Sequence, residues 1–482
     1  MIYMNPSITN LVESLWEKMG ANSIANPIAV IEQIGYLLLI RKLGSEIEVK
    51  NIPSDYWKWE NISRHIHEPN FRTHLQTCGY SIFSSCHPIF SGNIFDTSFQ
   101  FLDKIKDVTG ILDKLFDILT QDEDDIPSGM ESHIFESLLD RTALVGPKGQ
   151  FRTPRHITNM MAELISPNSE ESIYDPAVGT GGFLLSACKF AGTKELELHA
   201  DAEVATDADG FRFTKHDSWA SASRISITGA DNDKMMLRIC IINLILHGIE
   251  KFSIVQENSI QNNFNENAPL FDVVLGNPPY GIKDKEAPSH SKYGFNISEL
   301  LFLEKIIGSL KSGGRCVVVV PEGLLFNSKT QYREARHILL TQTNLKAVIS
   351  LPAGTFSPYT TGKSAILIFK KEAETERVWF YELTTDGYSS DKDRRRLKGY
   401  PLVDAVKDYK NRNISQNNRT QNGFFVSFQE IKENDFLLSY NTYREFTYRE
   451  QSVSSPNEIL NELQKQEETI MSELKKLADS IK

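Results

Sequence analysis

The sequence predicts an α/β fold in which a mainly parallel, seven-stranded sheet follows an all-helical segment and precedes a C-terminal amphipathic helix. From residue 150 onward, short apolar runs alternate with helical patterns, which is typical of strands joined by crossover helices in a parallel sheet. Before that point the spacing of apolar residues is helical, and the C-terminal stretch repeats apolar residues three and four positions apart.

The first segment is predicted as a helical domain over residues 1–140. Apolar residues recur at helical spacing in residues 7–20 and 27–44, and again around Ile134. The acidic run 121–125 precedes the last of these helices and is typical of a surface connection.

The second segment, residues 141–400, is the predicted sheet domain. Its strands are expected at residues 172–174, 224–228, 252–256, 271–275, 315–320, 345–351 and 365–370. A helix ahead of them is expected to use Thr153 as its N-cap and Pro154 as its first residue. Residues 195–220 are polar and exceed the needs of a βαβ unit, so they are predicted to be a surface insertion.

Composition restricts the class of protein. The chain has 482 residues, of which 40% are hydrophobic, enough for two or three domains with proper cores. Its 52 basic and 63 acidic side chains give a net charge of −11, the wrong sign for a protein that grips DNA phosphates unaided. No apolar run is long enough for a membrane span and no secretory signal is visible. A cytoplasmic protein is therefore expected by default.

The cysteines do not predict a metal site. Cys188, Cys240 and Cys316 lie inside apolar patterns and are expected to be small core residues in a reducing compartment. Cys78 and Cys86 lie among several histidines, which allows a zinc site. Their spacing does not match the short zinc-binding motifs, so core or surface roles are favoured and no metal is expected.

A glycine-rich turn follows the first predicted strand and precedes an apolar helix. Residues 175–182 read Asp-Pro-Ala-Val-Gly-Thr-Gly-Gly. Glycines allow the backbone to approach a ligand closely and open the helix N-terminus toward it. Asp175, at the strand end, can accept hydrogen bonds from a cationic amine. A dinucleotide site fits less well, because the spacing is not GxGxxG and an acid in the turn would repel a pyrophosphate.

A second motif, Asn277-Pro278-Pro279-Tyr280, directly follows an apolar strand. The Asn277 side-chain carbonyl can accept a hydrogen bond from an amine, and the two prolines make the turn rigid and remove competing N–H donors. Tyr280 adds a flat ring. These features predict a socket for a planar molecule with an exocyclic NH2 group, although an ordinary turn has the same composition.

In this order, the two motifs resemble those of S-adenosylmethionine-dependent DNA adenine-N6 methyltransferases, and specifically the modification subunit of type I restriction-modification systems. The resemblance covers nearly the whole chain. It extends to Gly-Gln-Phe-Arg-Thr-Pro-Arg at 149–155, Leu-Lys-Ser-Gly-Gly-Arg at 310–315, Pro-Glu-Gly-Leu-Leu-Phe at 321–326 and the segment 351–360. It implies a Rossmann-like methyltransferase sheet.

The resemblance also implies the residues that bind S-adenosylmethionine. They are Gln150, Phe151, Arg152, Thr153, Pro154 and Arg155 near the methionine end, Asp175, Ala177, Gly179, Thr180, Gly181 and Gly182 in the glycine turn, and Asp231 and Asn258 after the next two strands. An acid at the position of Asp231 commonly holds ribose hydroxyls. For Asn258, placed beside the cofactor's adenine, a simple turn role stays open.

The expected reaction is methylation of adenine N6. Asn277 and the Pro278 carbonyl each accept one N–H of the amine, Pro279 keeps the turn rigid, and the base must be flipped out of the duplex. Tyr280 is expected to stack on the base. The resemblance makes Phe356 a second aromatic wall, with a core-lining role as the alternative.

The C-terminal extension, residues 401–482, is expected to dock a partner through a helix at about 456–481. Its apolar seam comprises Leu460, Leu463, Ile470, Leu474, Leu477 and Ile481. The resemblance implies a specificity subunit as partner, in a complex of two modification subunits and one specificity subunit on double-stranded DNA, with a restriction subunit as a further candidate. The basic run 394–396 is a solvated face or a phosphate contact.

Three other functions fit part of the sequence. A protein glutamine-N5 methyltransferase also suits Asn-Pro-Pro-Tyr, but such enzymes are shorter and lack the additional segments. A self-sufficient DNA methyltransferase needs its own recognition domain, for which the chain has no room after residue 400. A non-catalytic DNA-binding scaffold is disfavoured because Asp175, Gly179, Asn277 and Tyr280 are all intact.

Overall fold

The computed structural model describes most of the chain from residue 130 onward and part of the segment before it. The described residues are 27–43, 130–142, 152–197, 204–214, 225–249, 251–261, 270–283, 291–389, 394–446 and 456–480, with Lys58, Asn61, Glu68, Asn70 and Thr73. The chain divides into two compact units, Met1–Tyr443 and Arg444–Lys482. The predicted helix at 7–20, the acidic run 121–125, and Cys78 and Cys86 with their neighbouring histidines lie outside the described residues.

The helices of the first unit flank a large sheet. They are α1 (Pro27–Leu43), α2 (Met130–Thr142), α3 (Arg155–Ile165), α4 (Gly182–Leu196), α5 (Lys234–Leu246), α6 (Ser298–Ser309), α7 (Gly323–Phe326), α8 (Thr330–Gln342), α9 (Pro401–Asn411), α10 (Phe428–Glu433) and α11 (Tyr440–Tyr443), with a 3-10 turn at Ile414–Gln416.

The strands form a nine-stranded sheet and a separate hairpin. They are β1 (Ser172–Asp175), β2 (Val204–Thr206), β3 (Arg212–Thr214), β4 (Ser226–Asp231), β5 (Phe252–Gln256), β6 (Phe271–Gly276), β7 (Leu310–Pro321), β8 (Asn344–Ser350), β9 (Ser364–Lys370), β10 (Arg377–Glu382) and β11 (Gly423–Ser427). The sheet order is β11-β10-β8-β9-β7-β6-β1-β4-β5, and β2 pairs with β3. Pairing is parallel from β7 through β5 and between β8 and β10, and antiparallel at β7/β9, β8/β9 and β10/β11.

The expected count of seven strands is wrong, because the sheet has nine. All seven predicted strands are present, and β10 and β11 are additional. The apolar run of β10 is bounded by Arg377 and Glu382, and its register is set by parallel pairing with β8, where Trp379 lies opposite Ala347. Short apolar runs such as 378–381 and 424–426 do not distinguish a strand from a buried helix segment, and pairing in the tertiary fold decides between them. The predicted domain boundaries at residues 140 and 400 stay predictions.

Both faces of the sheet are covered. In β1, Ile173 packs in one buried cluster and Tyr174 in the other, and Val273 and Val274 divide between the clusters in the same way. Because consecutive side chains of a strand point to opposite faces, this burial explains why the strands read as continuous apolar runs. The rigid core fixes the carboxyl ends of the strands. The predicted burial of Cys188, Cys240 and Cys316 is confirmed.

Helix α1 packs against α5 and α2 within the first unit. A Cβ placed on Gly35 would lie 2.7 Å from the Phe135 ring and 2.9 Å from Ile242, so only glycine permits this approach. Glu32 forms a buried ion pair with Arg238 of α5. Whether residues 1–140 form a separate all-helical domain stays a prediction.

The second unit contains helix α12 (Pro456–Ser480). Its seam residues Leu460, Leu463, Ile470, Leu474 and Leu477 are 57–62% exposed. Ile481 lies outside the described residues. No helix in the described ranges combines the length and apolar character that a membrane crossing requires.

Candidate active site

The candidate site lies at the carboxyl ends of β1, β4 and β6. The chain passes from β1 to β4 on one side and later returns to β6 on the other, so β1 has parallel neighbours on both sides. In open α/β sheets, ligands bind at such a switch point. Asp175 and Asp231 end β1 and β4, and Asn277 directly follows β6.

Asp175 presents a buried, incompletely bonded carboxylate. Its Oδ1 accepts a hydrogen bond from the Ala177 amide at 3.0 Å, while Oδ2 is buried without a partner among the described residues. Burial raises the pKa of Asp175 to about 8, against the lowering effect of the Ala177 amide. A Cβ on Gly276 would lie 2.7 Å from Oδ1, so glycine lets β6 pass close to this carboxylate. A cationic group against Oδ2 would stabilise the charged form.

The glycine turn is held in shape by Asp231. Gly179 and Gly181 have φ of +51° and +80°, a conformation that favours glycine. The Gly179 amide donates to Asp231 Oδ2 and the Asp233 amide to Oδ1, both at 3.0 Å. Burial raises the pKa of Asp231. Asp231 thus positions the turn that precedes α4, and its predicted contact with ribose hydroxyls stays a prediction.

Two carbonyl groups of the turn are anchored from behind. Asn243 Nδ2 donates to the Thr180 carbonyl at 2.9 Å, and Arg155 Nη1 donates to the Gly182 carbonyl at 3.1 Å. The Gly181 amide donates to the Val178 carbonyl and the Gly181 carbonyl accepts from the Leu185 amide, both at 2.9 Å, so the turn is also braced by its own backbone. The backbone contacts expected of Ala177, Thr180, Gly181 and Gly182 stay predictions.

Asn277 is buried and its amide is oriented by one hydrogen bond. Its Nδ2 donates to Thr153 Oγ1 at 3.0 Å, while Oδ1 is buried and has no partner in the described part of the chain. The expectation that Thr153 is the N-cap of α3 is wrong: the helix begins at Arg155, and Pro154 is its N-cap. The Thr153 hydroxyl is engaged by Asn277 instead of by the helix end.

The turn after Asn277 is fixed from its far side by α6 and α8. Pro278 is buried, Pro279 is exposed and Tyr280 is half-buried. Burial raises the pKa of Tyr280. The next amide, that of Gly281, donates to Glu299 Oε2 at 2.9 Å. The Tyr332 hydroxyl donates to the other oxygen of Glu299 at 2.7 Å. Glu299 therefore holds in place the backbone that follows Asn-Pro-Pro-Tyr.

Phe356 lies in the core. Its side chain is 2% exposed and belongs to the buried cluster that also contains Leu351 and Ile157. This placement fits the alternative considered from the sequence, a core-lining phenylalanine. The role of Phe356 as a second stacking wall stays a prediction, and it requires a rearrangement that exposes the ring.

The Gly-x-Phe-x-Thr-Pro-Arg segment connects the site to α2. Gln150 and Phe151 lie outside the described residues. Arg152 is buried and pairs with Glu136 and Asp140 of α2, and Arg155 also pairs with Glu136. Their guanidinium groups therefore contact the helix, and direct contacts of this segment with a cofactor stay a prediction.

Asn258 shapes the loop after β5. Its Oδ1 accepts from the Ile260 amide at 3.4 Å and its carbonyl accepts from the Gln261 amide at 3.0 Å, the pattern of a turn residue. Ser259, which the sequence did not single out, donates to the Pro176 carbonyl at 2.6 Å. The loop is thereby tied to the glycine turn, and the contact of Asn258 with adenine stays a prediction.

The basic run 394–396 is largely paired inside the protein. Arg394 pairs with Asp386, and Arg396 Nε lies 3.3 Å from Asp209 Oδ1 in the β2–β3 hairpin. Two of its three arginines thus fasten surface loops to one another.

Several site-forming residues carry no local signal in the sequence. Glu136, Asn243 and Glu299 lie inside helices whose patterns indicate only amphipathic or buried packing. Polar residues within an otherwise apolar run, such as Asn243 in α5, were the only indication available, because buried polar groups require partners.

The arrangement places two acceptor oxygens at adjacent strand ends. Asp175 Oδ2 and Asn277 Oδ1 are both buried and unbonded among the residues described, and β1 and β6 are direct neighbours. A buried acceptor without a donor costs free energy, on the order of 1–3 kcal/mol. The site is therefore suited to ligands that bring N–H groups, one to each oxygen.

The chain is similar in sequence to methylase subunits of known restriction enzymes. The chain is 32% identical over 295 residues to the type I restriction enzyme EcoEI methylase subunit of Escherichia coli, covering 60% of this chain and 53% of that protein. It is 25% identical over 412 residues to the StySPI methylase subunit of Salmonella potsdam, covering 78% and 72%. The matched region thus spans about half of the first relative and more of the second.

A solved structure shows the same fold. The type I restriction-modification system methyltransferase subunit from Streptococcus thermophilus aligns over 91% of this chain and 100% of its own, with a TM-score of 0.70 and 19% identity. The N-6 DNA methylase family matches residues 129–452, more than half of the sequence. The chain therefore belongs to the N-6 DNA methylase family.

Proposed function

We propose that this protein transfers the methyl group of S-adenosylmethionine to the N6 amine of a flipped-out adenine in DNA, as the modification subunit of a type I restriction-modification complex. The observation that carries the proposal is the buried, unbonded Oδ1 of Asn277 at the end of β6, within the described residues. Family membership and the similarity to type I methylase subunits support it.

Asn277 acts on the target amine. The lone pair of an adenine N6 amine is delocalised into the ring, so the amine is a weak nucleophile. Hydrogen bonds from its two N–H groups to Asn277 Oδ1 and the Pro278 carbonyl favour a more tetrahedral nitrogen with a localised lone pair. Because Thr153 holds the amide, this acceptor is preorganised, and orientation supplies much of the catalysis. As the nitrogen–carbon bond forms, the methyl–sulfur bond would break and S-adenosylhomocysteine would leave, while the amine, made more acidic by alkylation, gives up one proton to solvent.

Asp175 is the residue best suited to hold the cofactor's amino group. Its unbonded, fully buried Oδ2 needs a donor, and a cationic amine meets that need. Asp231 and Asn258 are assigned to the ribose and adenine, and the glycine turn to backbone contacts. S-adenosylmethionine, when bound, supplies an activated methyl group to the site. The residues present thus fit this cofactor.

The target adenine must leave the duplex to reach Asn277, at a cost on the order of a few kcal/mol. Tyr280 is the assigned stacking partner, since it is half-buried and follows Asn277 by three residues at the end of β6. Stacking on an aromatic ring offsets part of the cost of flipping. Phe356 is assigned as a second wall only in a conformation that exposes it.

We assign double-stranded DNA and a specificity subunit as partners, in a complex of two modification subunits and one specificity subunit. The net charge of −11 argues for a partner that supplies phosphate contacts. The exposed leucine seam of α12 offers it a helical docking surface.

The test is methyl transfer with labelled cofactor. The purified chain is incubated with double-stranded DNA, with and without its specificity subunit, and the products are digested to nucleosides. Label in N6-methyladenine, appearing when the specificity subunit is present, is the expected result. Label in protein glutamine, in cytosine, or in neither DNA nor protein would contradict the proposal.

A further inference from the structure

We propose that Glu136 of α2 is a positioning residue that makes docking of this helix and binding of the methyl donor mutually dependent. The inference rests on the proposed function and extends it to a residue that touches neither cofactor nor base.

The Glu136 carboxylate interacts with donor groups of three residues. Arg152 and Arg155 pair with its Oε2, and Asn243 of α5 donates to Oε1 at 2.7 Å. The Glu136 side chain is 14% exposed. Both oxygens are thus used, and helix α2 is bound through one acid to the segment before α3 and to α5.

Two of these donors also contact the glycine turn, and the third is adjacent in sequence to Thr153. The same Nδ2 of Asn243 donates to the Thr180 carbonyl at 2.9 Å, and Arg155 Nη1 donates to the Gly182 carbonyl at 3.1 Å. Arg152 directly precedes Thr153, whose hydroxyl orients Asn277. Asn243 and Arg155 therefore connect Glu136 to the glycine turn. Arg152 and Thr153 connect Glu136 to the Asn277 amide.

The charge of Glu136 is essential to this arrangement. Burial alone would raise its pKa, but Arg152 and Arg155 hold the pKa of Glu136 below its ordinary value. Without the anion, the buried Arg152 guanidinium and the partly buried Arg155 guanidinium would lose their shared acceptor, with the exposed Asp140 as the remaining acid. Removing one partner of a buried ion pair is strongly unfavourable, so Arg155 and Asn243 would reorient and release the turn carbonyls.

Coupling follows by linkage. If the docked helix favours the turn conformation that accepts the cofactor, the bound cofactor must favour the docked helix by the same factor. A partner or DNA segment that shifts α2 will then change the affinity for the methyl donor.

The experiment compares Glu136→Gln with Glu131→Gln in the full chain. Glu131→Gln removes the same charge from the same helix, but within the described residues no hydrogen bond or ion pair joins its partner Arg41 to the turn. Binding of S-adenosylhomocysteine is measured by calorimetry. We expect the dissociation constant to rise about tenfold or more in Glu136→Gln, within the usual range of coupling, and to stay at the wild-type value in Glu131→Gln. The KM for S-adenosylmethionine should change more than kcat.

Hydrogen exchange of the wild-type chain provides a second measurement that needs no variant. S-adenosylhomocysteine should slow amide exchange in residues 130–142 more than in β10 and β11, which lie away from α2. Two results would overturn the inference without contradicting methyl transfer. One is a folded Glu136→Gln variant that binds the cofactor with wild-type affinity. The other is amide exchange in α2 that does not change when the cofactor binds. A wild-type chain that binds no cofactor would overturn the proposed function and this inference together.

Discussion

Asn277 Nδ2 donates a hydrogen bond to Thr153 Oγ1 at 3.0 Å, across 124 positions of sequence. This bond uses the amide nitrogen and leaves the amide oxygen as the acceptor at the end of β6. It joins the two segments expected to serve different ligands, the amine-binding motif and the segment before α3. Under the proposed function, cofactor binding and target binding therefore share one polar contact.

Asn277→Ala should reduce methyl transfer by about 100-fold or more, in line with the loss of a preorganised catalytic hydrogen bond. Cofactor affinity should stay nearly unchanged, because Asp175 and the glycine turn are intact. Single-turnover transfer and calorimetric binding of S-adenosylhomocysteine separate the two effects. A variant with full turnover would refute the assigned role.

Thr153→Val should lower the transfer rate through misorientation of Asn277, whereas Thr153→Ser keeps the hydroxyl and should retain activity. The lost hydrogen bond contributes about 0.5–1.5 kcal/mol, which corresponds to roughly a threefold to tenfold change in rate. Rate constants for the two variants are compared at saturating cofactor. Equal rates for the Val and Ser variants would show that the bond does not orient the amide.

Asp175 should make the cofactor-free protein less stable as pH rises. Its pKa is raised from 3.8 to about 8 by burial, so the folded state holds the proton more tightly than the unfolded state. The penalty is absent below about pH 4, grows toward pH 8 and is then constant. Asp175→Asn should therefore gain stability relative to wild type over this range, as measured by urea unfolding at pH 5 and pH 8. It should also lose cofactor affinity. An equal difference in stability at both pH values would contradict the assignment.

Tyr280 and Phe356 should respond differently to truncation. Tyr280→Ala removes a half-buried ring and should weaken base binding by about 1–3 kcal/mol, with Tyr280→Phe as the control that keeps the stacking face. Phe356→Ala empties a core position and should lower the free energy of unfolding by about 3–5 kcal/mol. Fluorescence of 2-aminopurine at the target position and urea unfolding report the two effects. A stable Phe356→Ala variant with impaired base binding would favour the stacking role instead.

Leu463→Asp and Leu474→Asp should prevent assembly with the specificity subunit without changing the melting temperature of the isolated chain. Both side chains are more than half exposed in α12. The introduced charge should therefore destabilise the complex, in which the side chain would be buried, and leave the isolated chain unaffected. Lys465→Asp, on the opposite face of the helix, is the matched control. Size-exclusion chromatography with light scattering measures the complexes. Intact assembly of both leucine variants would exclude this seam as the docking surface.

Local patterns were sufficient for the elements whose signals are local. The strands and turns around Asp175 and Asn277 follow from apolar runs that end in glycine or proline, because backbone geometry limits what those residues can adopt. Helix α1 matched its predicted bounds within one residue for the same reason. The additional strands β10 and β11 of the large sheet were missed because their apolar runs, 378–381 and 424–426, are too short to distinguish a strand from another buried segment.

The sequence by itself determined the class of fold, the family and the motifs at the strand ends, since these depend on residue types at short spacing. Only the tertiary structure decided how the motifs are connected: that Thr153 orients Asn277, that Glu136 reaches the glycine turn through Arg155 and Asn243, and that Phe356 lies in the core. The physical reason is that a buried polar group must lie close to its partner in space. Because these partners are far apart along the chain, no periodic sequence pattern indicates their pairing.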